Sequence, residues 1–318
     1  MKAPTHTHES APDAAVTVNH RELLALRTPA RTINNQPNRK ARAALAGSTR
    51  SGFRGRGMDF EEVRVYQPGD DPRIIDWRVT ARRGHPYSKV FNEERERPVL
   101  FLVDQGASMH FGTRSCFKSV AAARAAALLA WSSHEAGERV GGLVWNGTAS
   151  VRIAATRGRR GVLNLLQTIA SPGDSEFPQE TPFTEMLGRL DRMTPSGASV
   201  VVISDFYGMT DAACRRLERI ASRCELSCVL TYDPLEQEAP PAGWYRISDG
   251  SNSTPIWTGD DSWRSEYGEA MRQRLDFLNK LARTRGATVI DLATNENVVS
   301  KLQRTFGQRT PSRQGGRS

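Results

Sequence analysis

The feature that most constrains the fold is an apolar run that ends abruptly at an acid. Val99 to Val103 contains five apolar residues rich in β-formers, which predicts a strand buried on both faces, as inside a parallel sheet. The run ends at Asp104, and an Ala-rich helical stretch follows from Ser115 to Ala136. A carboxylate between a strand and a helix lies at the carboxyl edge of an open α/β sheet, where such folds bind ligands. The alternative is that Asp104 only caps a turn.

The same pattern occurs a second time. Ala198 to Ile203 is another apolar run, and it ends at Ser204 and Asp205 before a helical stretch. Strand and helix patterns alternate from Val99 onward, which favours a doubly wound, mostly parallel sheet in an α/β fold. Further elements are predicted at 139–145, 150–153, 161–169, 182–192, 211–222, 226–232, 263–284 and 288–290.

The stretch before this alternation has a different character. Residues 52–97 are dense in Gly, Arg, Asp and aromatic residues and include strand-like pieces, which predicts a β-rich lead-in. We therefore expect a disordered tail at 1–18, an N-terminal helix and β-rich lead-in at 19–97, the main α/β domain at 98–306, and a disordered basic tail at 307–318.

Composition limits the compartment and the partners. The chain of 318 residues is 38% hydrophobic, but no apolar run approaches the roughly 18 residues needed to cross a bilayer, and the polar N-terminus contains no apolar signal segment. We expect a cytoplasmic protein without membrane insertion. The four cysteines show no CxxC spacing, so they predict buried thiols rather than disulfides or a zinc site.

The charge balance leaves one rival function open. The net charge is +9, and only six of the 44 basic residues are Lys, so Arg dominates. The planar fork of Arg suits carboxylate or phosphate partners. An Arg-rich nucleic-acid-binding module is therefore the main alternative function, although we regard nucleic acid as the less favoured partner. The residues that would form its basic face are Arg82, Arg83, Arg157, Arg159 and Arg160.

Enzyme motifs fail at their defining positions. Gly106 stands where a haloacid-dehalogenase-like Asp-x-Asp needs its second acid, and Phe117 precedes Lys118 where a P-loop needs Gly. There is no Gly-x-Ser-x-Gly elbow. We predict a protein that is not an enzyme. A metal-dependent hydrolase using Asp104 and Asp205 is a weaker alternative, since it lacks a visible nucleophile or base.

The strand-end loops carry a resemblance to a known fold. The segment from Asp104 to Ser108 resembles the Asp-x-Ser-x-Ser loop of von Willebrand factor A domains, which forms their metal-ion-dependent adhesion site. Thr181 resembles the threonine of the second site loop, and Asp205 resembles the acid of the third. The resemblance implies a von Willebrand A-like sheet with a Mg2+ or Mn2+ ion at Asp104, Ser108, Thr181 and Asp205. Gly106 replaces a ligand serine, so it implies weak metal binding or none.

The lead-in carries a narrower resemblance. The stretch from Arg64 to Trp77 (RVYQPGDDPRIIDW), followed by Thr80 to Arg82, resembles the signature of the DUF58 family. These are von Willebrand A-like proteins usually encoded beside MoxR-type AAA+ ATPases. The resemblance implies a non-enzymatic adaptor that works with such an ATPase on an unidentified client protein, in maturation or remodelling.

If the resemblance to the DUF58 signature holds, the signature residues have either a structural role or a role in interaction. Either they form an internal ion-pair network that fastens the lead-in to the sheet, as we predict for Arg73, Asp76 and Arg82, or they form an interaction surface. The motif residues in question are Arg64, Tyr66, Gly69, Asp70, Arg73, Asp76, Trp77 and Arg82.

Overall fold

The computed structural model describes residues 14–33, 58–67, 72–93, 98–147, 149–171, 182–248 and 253–307. The strands are β1 Met58–Val65, β2 Tyr87–Glu93, β3 Pro98–Asp104, β4 Arg139–Trp145, β5 Ser150–Thr156, β6 Ser199–Ser204, β7 Glu225–Tyr232, β8 Trp244–Ser248, β9 Ser253–Trp257 and β10 Thr288–Ala293. The helices are α1 His20–Ala25, α2 Arg27–Ala30, α3 Trp77–Arg83, α4 Lys118–Glu135, α5 Arg159–Ile169, α6 Phe183–Met193, α7 Asp211–Arg223, α8 Asp261–Tyr267, α9 Glu269–Arg285 and α10 Val298–Phe306.

A six-stranded sheet organises the larger part of the chain. Its strand order is β10-β7-β6-β3-β4-β5, and every neighbouring pair is parallel except β4 with β5. The predicted mixed α/β fold with a mostly parallel sheet is therefore confirmed. Because β3 and β6 are adjacent in the centre and run in the same direction, the residues that follow them meet at one carboxyl edge.

The central strands are buried on both faces, as the apolar run predicted. Val99, Phe101 and Val103 pack into one core with α1, α2, α4, α5 and α10. Leu100 and Leu102 face the opposite core, which contains apolar residues of α6, α7 and α9. The alternation follows from the period of two along a strand, and it explains why β3 shows no polar face in the sequence.

Residues 37–97 form a second compact unit. Its described part is an antiparallel pair of β1 and β2, with a bulge between Phe60 and Glu62, together with the short helix α3. Asp76 begins α3 by accepting hydrogen bonds from the backbone N–H groups of Arg78 and Val79 at 3.0 and 3.2 Å, and Gly84 ends it in the left-handed conformation. The predicted strands are present, but the helix between them was not anticipated.

Two predicted boundaries need correction. The described residues 14–33 group with the sheet unit and not with the lead-in, since helices α1 and α2 pack on α4. The single helix predicted from Trp263 to Thr284 was wrong: α8 and α9 are separate and meet at Gly268. A Cβ on Gly268 would lie 3.2 Å from the carbonyl oxygen of Gln237, a tight contact that favours glycine there.

No helix in the described ranges is both long and apolar enough to cross a membrane.

Candidate functional site

Asp104 lies at the carboxyl edge and is buried, with its side chain fully engaged. Its Oδ1 accepts a hydrogen bond from the backbone N–H of Gly106 at 2.8 Å, and its Oδ2 accepts one from the Ser204 hydroxyl at 2.6 Å. Burial, reinforced by the nearby charge of Asp205, raises the pKa of Asp104 to about 7, although Ser204, Gly106 and the charge of Lys118 act in the other direction. Asp104 therefore changes charge near neutral pH.

Asp205 is paired with a buried lysine. The Nζ atom of Lys118, the first residue of α4, lies 2.7 Å from Oδ2 of Asp205 and 2.9 Å from Oε1 of Glu236. The side chains of Lys118 and Asp205 are only 3% and 1% exposed. The other oxygen of Asp205 accepts a hydrogen bond from the backbone N–H of Tyr207 at 2.9 Å. The ammonium group thus joins the loops after β6 and β7 to the start of α4.

The loop after β7 is fixed in turn by Asp233. This buried side chain accepts hydrogen bonds from the backbone and hydroxyl of Thr113 at 2.8 and 2.6 Å, and from the Thr294 hydroxyl at 2.8 Å. Burial alone would raise the pKa of Asp233, but the hydrogen bonds from Thr113, Leu235 and Thr294 outweigh it, so the pKa lies below its usual value. Glu236 completes a capping box with Asp233, which orients the carboxylate that reaches Lys118.

The loop after Asp205 has an unusual backbone. Phe206 has φ of 53°, the sole positive value at a non-glycine residue in the described ranges, and such strain concentrates at functional sites. Its N–H donates to Ser204 Oγ at 2.9 Å, and its buried ring packs edge-on against Phe183. The next side chain, Tyr207, is 68% exposed. Phe111, whose ring centroid is 5.8 Å from Lys118 Nζ, is 38% exposed.

The predicted metal-site residues are brought together only in part. Asp104 and Asp205 share the carboxyl edge, and Ser108 lies half-buried in the short 3-10 turn Ala107–Met109 after β3. Thr181 lies outside the described residues. Sequence reasoning missed Lys118, Ser204 and Glu236; the available signal was a lysine at the start of an Ala-rich helix.

The described residues supply only part of the predicted set of metal ligands. No group of three His, Cys, Asp or Glu side chains able to hold an ion occurs in the part of the chain that the structure describes. Gly106 supplies no hydroxyl, and one oxygen of Asp205 is already bound to an ammonium group. The position of a cation next to Asp205 is taken by Lys118, so the predicted Mg2+ or Mn2+ would have to displace a buried ion pair.

The predicted lead-in residues lie in the other unit. Asp76 is the N-cap of α3, Tyr66 donates its backbone N–H to the Pro86 carbonyl at 2.8 Å, and Arg64 lies in β1. Trp77 is 69% exposed, and Arg73 and Arg82 are also exposed. Gly69 and Asp70 lie outside the described residues. Whether the motif fastens this unit to the sheet stays a prediction.

Comparison with known proteins identifies the family. The model of the family "Protein of unknown function DUF58" matches residues 62–276. The chain belongs to this family. The uncharacterized proteins Rv1480 of Mycobacterium tuberculosis and Mb1516 of Mycobacterium bovis are each 30% identical over 280 residues, which is 88% of this DUF58 protein and 88% of each relative.

Solved structures show a weaker likeness. An aerotolerance-related membrane protein from Bacteroides fragilis, solved with multiple mutations to serines, aligns with a TM-score of 0.40 at 15% identity, over 66% of this chain and 96% of that one. BatB from Bacteroides thetaiotaomicron aligns with a TM-score of 0.39 at 13% identity, over 66% and 95%. At these scores neither structure carries an argument about this DUF58 protein.

Proposed function

We propose that this DUF58 protein is a non-enzymatic, von Willebrand A-like adaptor whose carboxyl sheet edge binds a partner protein. The observation that carries the proposal is the Lys118–Asp205–Glu236 cluster, which fixes the edge loops while leaving Tyr207 and Phe111 exposed. Exposed aromatic side chains on rigid loops are typical anchors of protein interfaces. The carboxylates of Asp104, Asp205 and Glu236 bind groups of the edge loops and of Lys118, and these bonds fix the conformation of the edge.

A MoxR-type AAA+ ATPase is the proposed partner, acting with this adaptor on a client protein in the cytoplasm. Support comes from the resemblance of the Arg64–Trp77 stretch to proteins usually encoded beside such ATPases. We further propose that binding at the edge needs no metal, because Lys118 supplies the positive charge at Asp205 that a cation would otherwise provide.

Co-elution with the ATPase encoded in the neighbouring gene tests the contact. The two purified proteins are mixed with Mg2+ and a non-hydrolysable nucleotide, so that turnover is not a variable. Tyr207→Ala is expected to weaken the complex at least about tenfold, the size of a moderate hot-spot loss. Tyr245→Ala is the matched control, since Tyr245 is an exposed aromatic residue on β8. Unchanged co-elution of the Tyr207 and Phe111 alanine variants would show that this edge is not the contact.

Calorimetry of the isolated protein with Mg2+ and Mn2+ tests the metal separately. We expect no saturable binding by the wild type or by Gly106→Ser, because the Lys118 ammonium group remains in place. Saturable binding that is lost in Asp205→Ala would instead support the metal-ion-dependent adhesion site inferred from the loop resemblance.

A further inference from the structure

A pocket lies beside β5, the strand at the end of the six-stranded sheet opposite β10. The pocket has a volume of about 380 Å3 and is lined by Leu143, Ser150, Arg152, Arg189, Arg192 and Met193. Ser150 and Arg152 are two residues apart on β5, so their side chains share one face of the sheet, and on that face they meet helix α6. The pocket is thus built from two rigid elements, which can hold charged groups in fixed positions.

Three guanidinium groups converge on this pocket from β5 and α6. Arg189 donates to the Ser150 hydroxyl at 2.9 Å and pairs with Glu185 at 2.8 Å. Within the described part of the chain, Arg152 and Arg192 have no carboxylate within ion-pair distance and no hydrogen-bond acceptor. Three positive charges against one negative charge leave a local excess of two.

All three arginines are exposed, so the excess positive charge costs little in folding and is accessible to a ligand. Arg189 and Arg192 are three residues apart on one helix, where like charges destabilise the helix by about 0.2–0.5 kcal/mol. Elsewhere the chain neutralises such a pair: Arg219 and Arg223 of α7 both bind the buried carboxylate of Asp191. The pocket contains no equivalent acid among the described residues, so a ligand is the natural source of the missing negative charge.

The chemistry of the lining defines that ligand. The guanidinium fork binds phosphate oxygens in pairs, and a phosphate monoester carries close to two negative charges at neutral pH, which matches the excess. Leu143 and Met193 add an apolar wall. The volume exceeds the space that a free phosphate ion needs and lies in the range of small-ligand pockets.

We propose that the β5–α6 pocket binds a phosphate monoester carried on an apolar group. Such a group can come from a phosphorylated side chain of a partner protein or from a small phosphate ester. The site is separate from the carboxyl-edge cluster, so it does not depend on the adaptor proposal.

Calorimetry at constant ionic strength tests the site with phenyl phosphate as the probe. We expect 1:1 saturable binding, tighter for phenyl phosphate than for inorganic phosphate or for the monoanion benzenesulfonate. Arg152→Gln and Arg192→Gln are each expected to raise the Kd about 10- to 100-fold, the loss of one charge-assisted contact to a phosphate. Arg215→Gln, at an exposed position on α7, is the matched control and should leave the Kd unchanged.

Two further probes identify the source of the phosphate. If an Ala-rich peptide with one phosphotyrosine binds more tightly than its unphosphorylated form and than AMP, the pocket is assigned to phosphorylated protein segments. If AMP binds more tightly than the phosphotyrosine peptide, the pocket is assigned to small esters. No saturable binding by any probe, or binding that the two Arg variants leave unchanged, would refute the pocket. Preferred binding of duplex DNA with a steep salt dependence would refute it in favour of a nucleic-acid surface.

Discussion

The stability of this protein should depend on pH through Asp104. The pKa of Asp104 is raised to about 7 by burial and by the charge of Asp205, so the folded state binds a proton that the unfolded chain releases near pH 4. As the pH rises from about 4 to about 7, the unfolded state ionises first and the free energy of unfolding falls. Above pH 7 both states are ionised, and the cost stays constant.

Asp104→Asn removes this cost and keeps the shape of the side chain. The amide oxygen can still accept from the Gly106 N–H, and the amide nitrogen can donate to Ser204 Oγ. One pH unit inside the window is worth about 1.4 kcal/mol, so the two units from pH 5 to 7 amount to about 2–3 kcal/mol. The free energy of unfolding of the variant, relative to the wild type, should therefore rise by about 2–3 kcal/mol from pH 5 to pH 7 and then stay constant up to pH 8.

Chemical denaturation at pH 5, 6, 7 and 8 measures the difference. Asp276→Asn is the control, because it makes the same charge change at an exposed position of α9. If the wild-type and Asp104→Asn curves remain parallel from pH 5 to 8, burial of the Asp104 charge is not the governing cost and the reasoning fails.

Three other perturbations test the remaining structural assignments. Lys118→Met should cost about 3–5 kcal/mol in denaturant unfolding, because it strands the buried carboxylate of Asp205, and adding Asp205→Asn should restore part of the loss. Lys301→Met is the comparison, and it should cost about 1 kcal/mol or less for each pair, because its partners Asp291 and Glu296 are 53% and 29% exposed. Asp76→Ala should cost about 0.5–2 kcal/mol in thermal or chemical melts, the value of an N-cap, and a loss of 3–5 kcal/mol would instead indicate a buried pair. Iodoacetamide followed by mass spectrometry should label Cys214, which is half-buried, before Cys228, since burial raises the pKa of the Cys228 thiol to about 12; faster labelling of Cys228 would contradict the packing.

The fold was more readable from the sequence than the site. The apolar runs at Val99 and Val200 have no polar face, and this property alone requires cover on both sides of the sheet. An element was likewise predicted at 263–284, where Met271, Leu278 and Leu281 are buried at helical spacing. The break at Gly268 was hidden because periodicity continues across it, and the close approach of Gln237 that favours glycine is a long-range contact.

The site escaped prediction for a related reason. Strand-end position placed Asp104 and Asp205 at one edge, but a partner more than 80 residues away in the chain leaves no local pattern. Lys118 was noticed only as the lysine of a failed P-loop. The meeting of Lys118 with Asp205 and Glu236 depends on the strand order β7-β6-β3, which the sequence alone did not specify.

In the function that we propose, Lys118 takes the place of an exchangeable cation, which changes how this edge can bind a partner. A bound metal ion with an open coordination position can be completed by a partner's carboxylate, and a chelator removes it. The Lys118 ammonium group is covalently attached, 3% exposed and bound to Asp205 and Glu236, so it offers no open position to a partner. If this edge binds a partner as we propose, recognition comes from what the fixed loops present, and Tyr207 is the more exposed of the two aromatic side chains there, at 68% against 38% for Phe111.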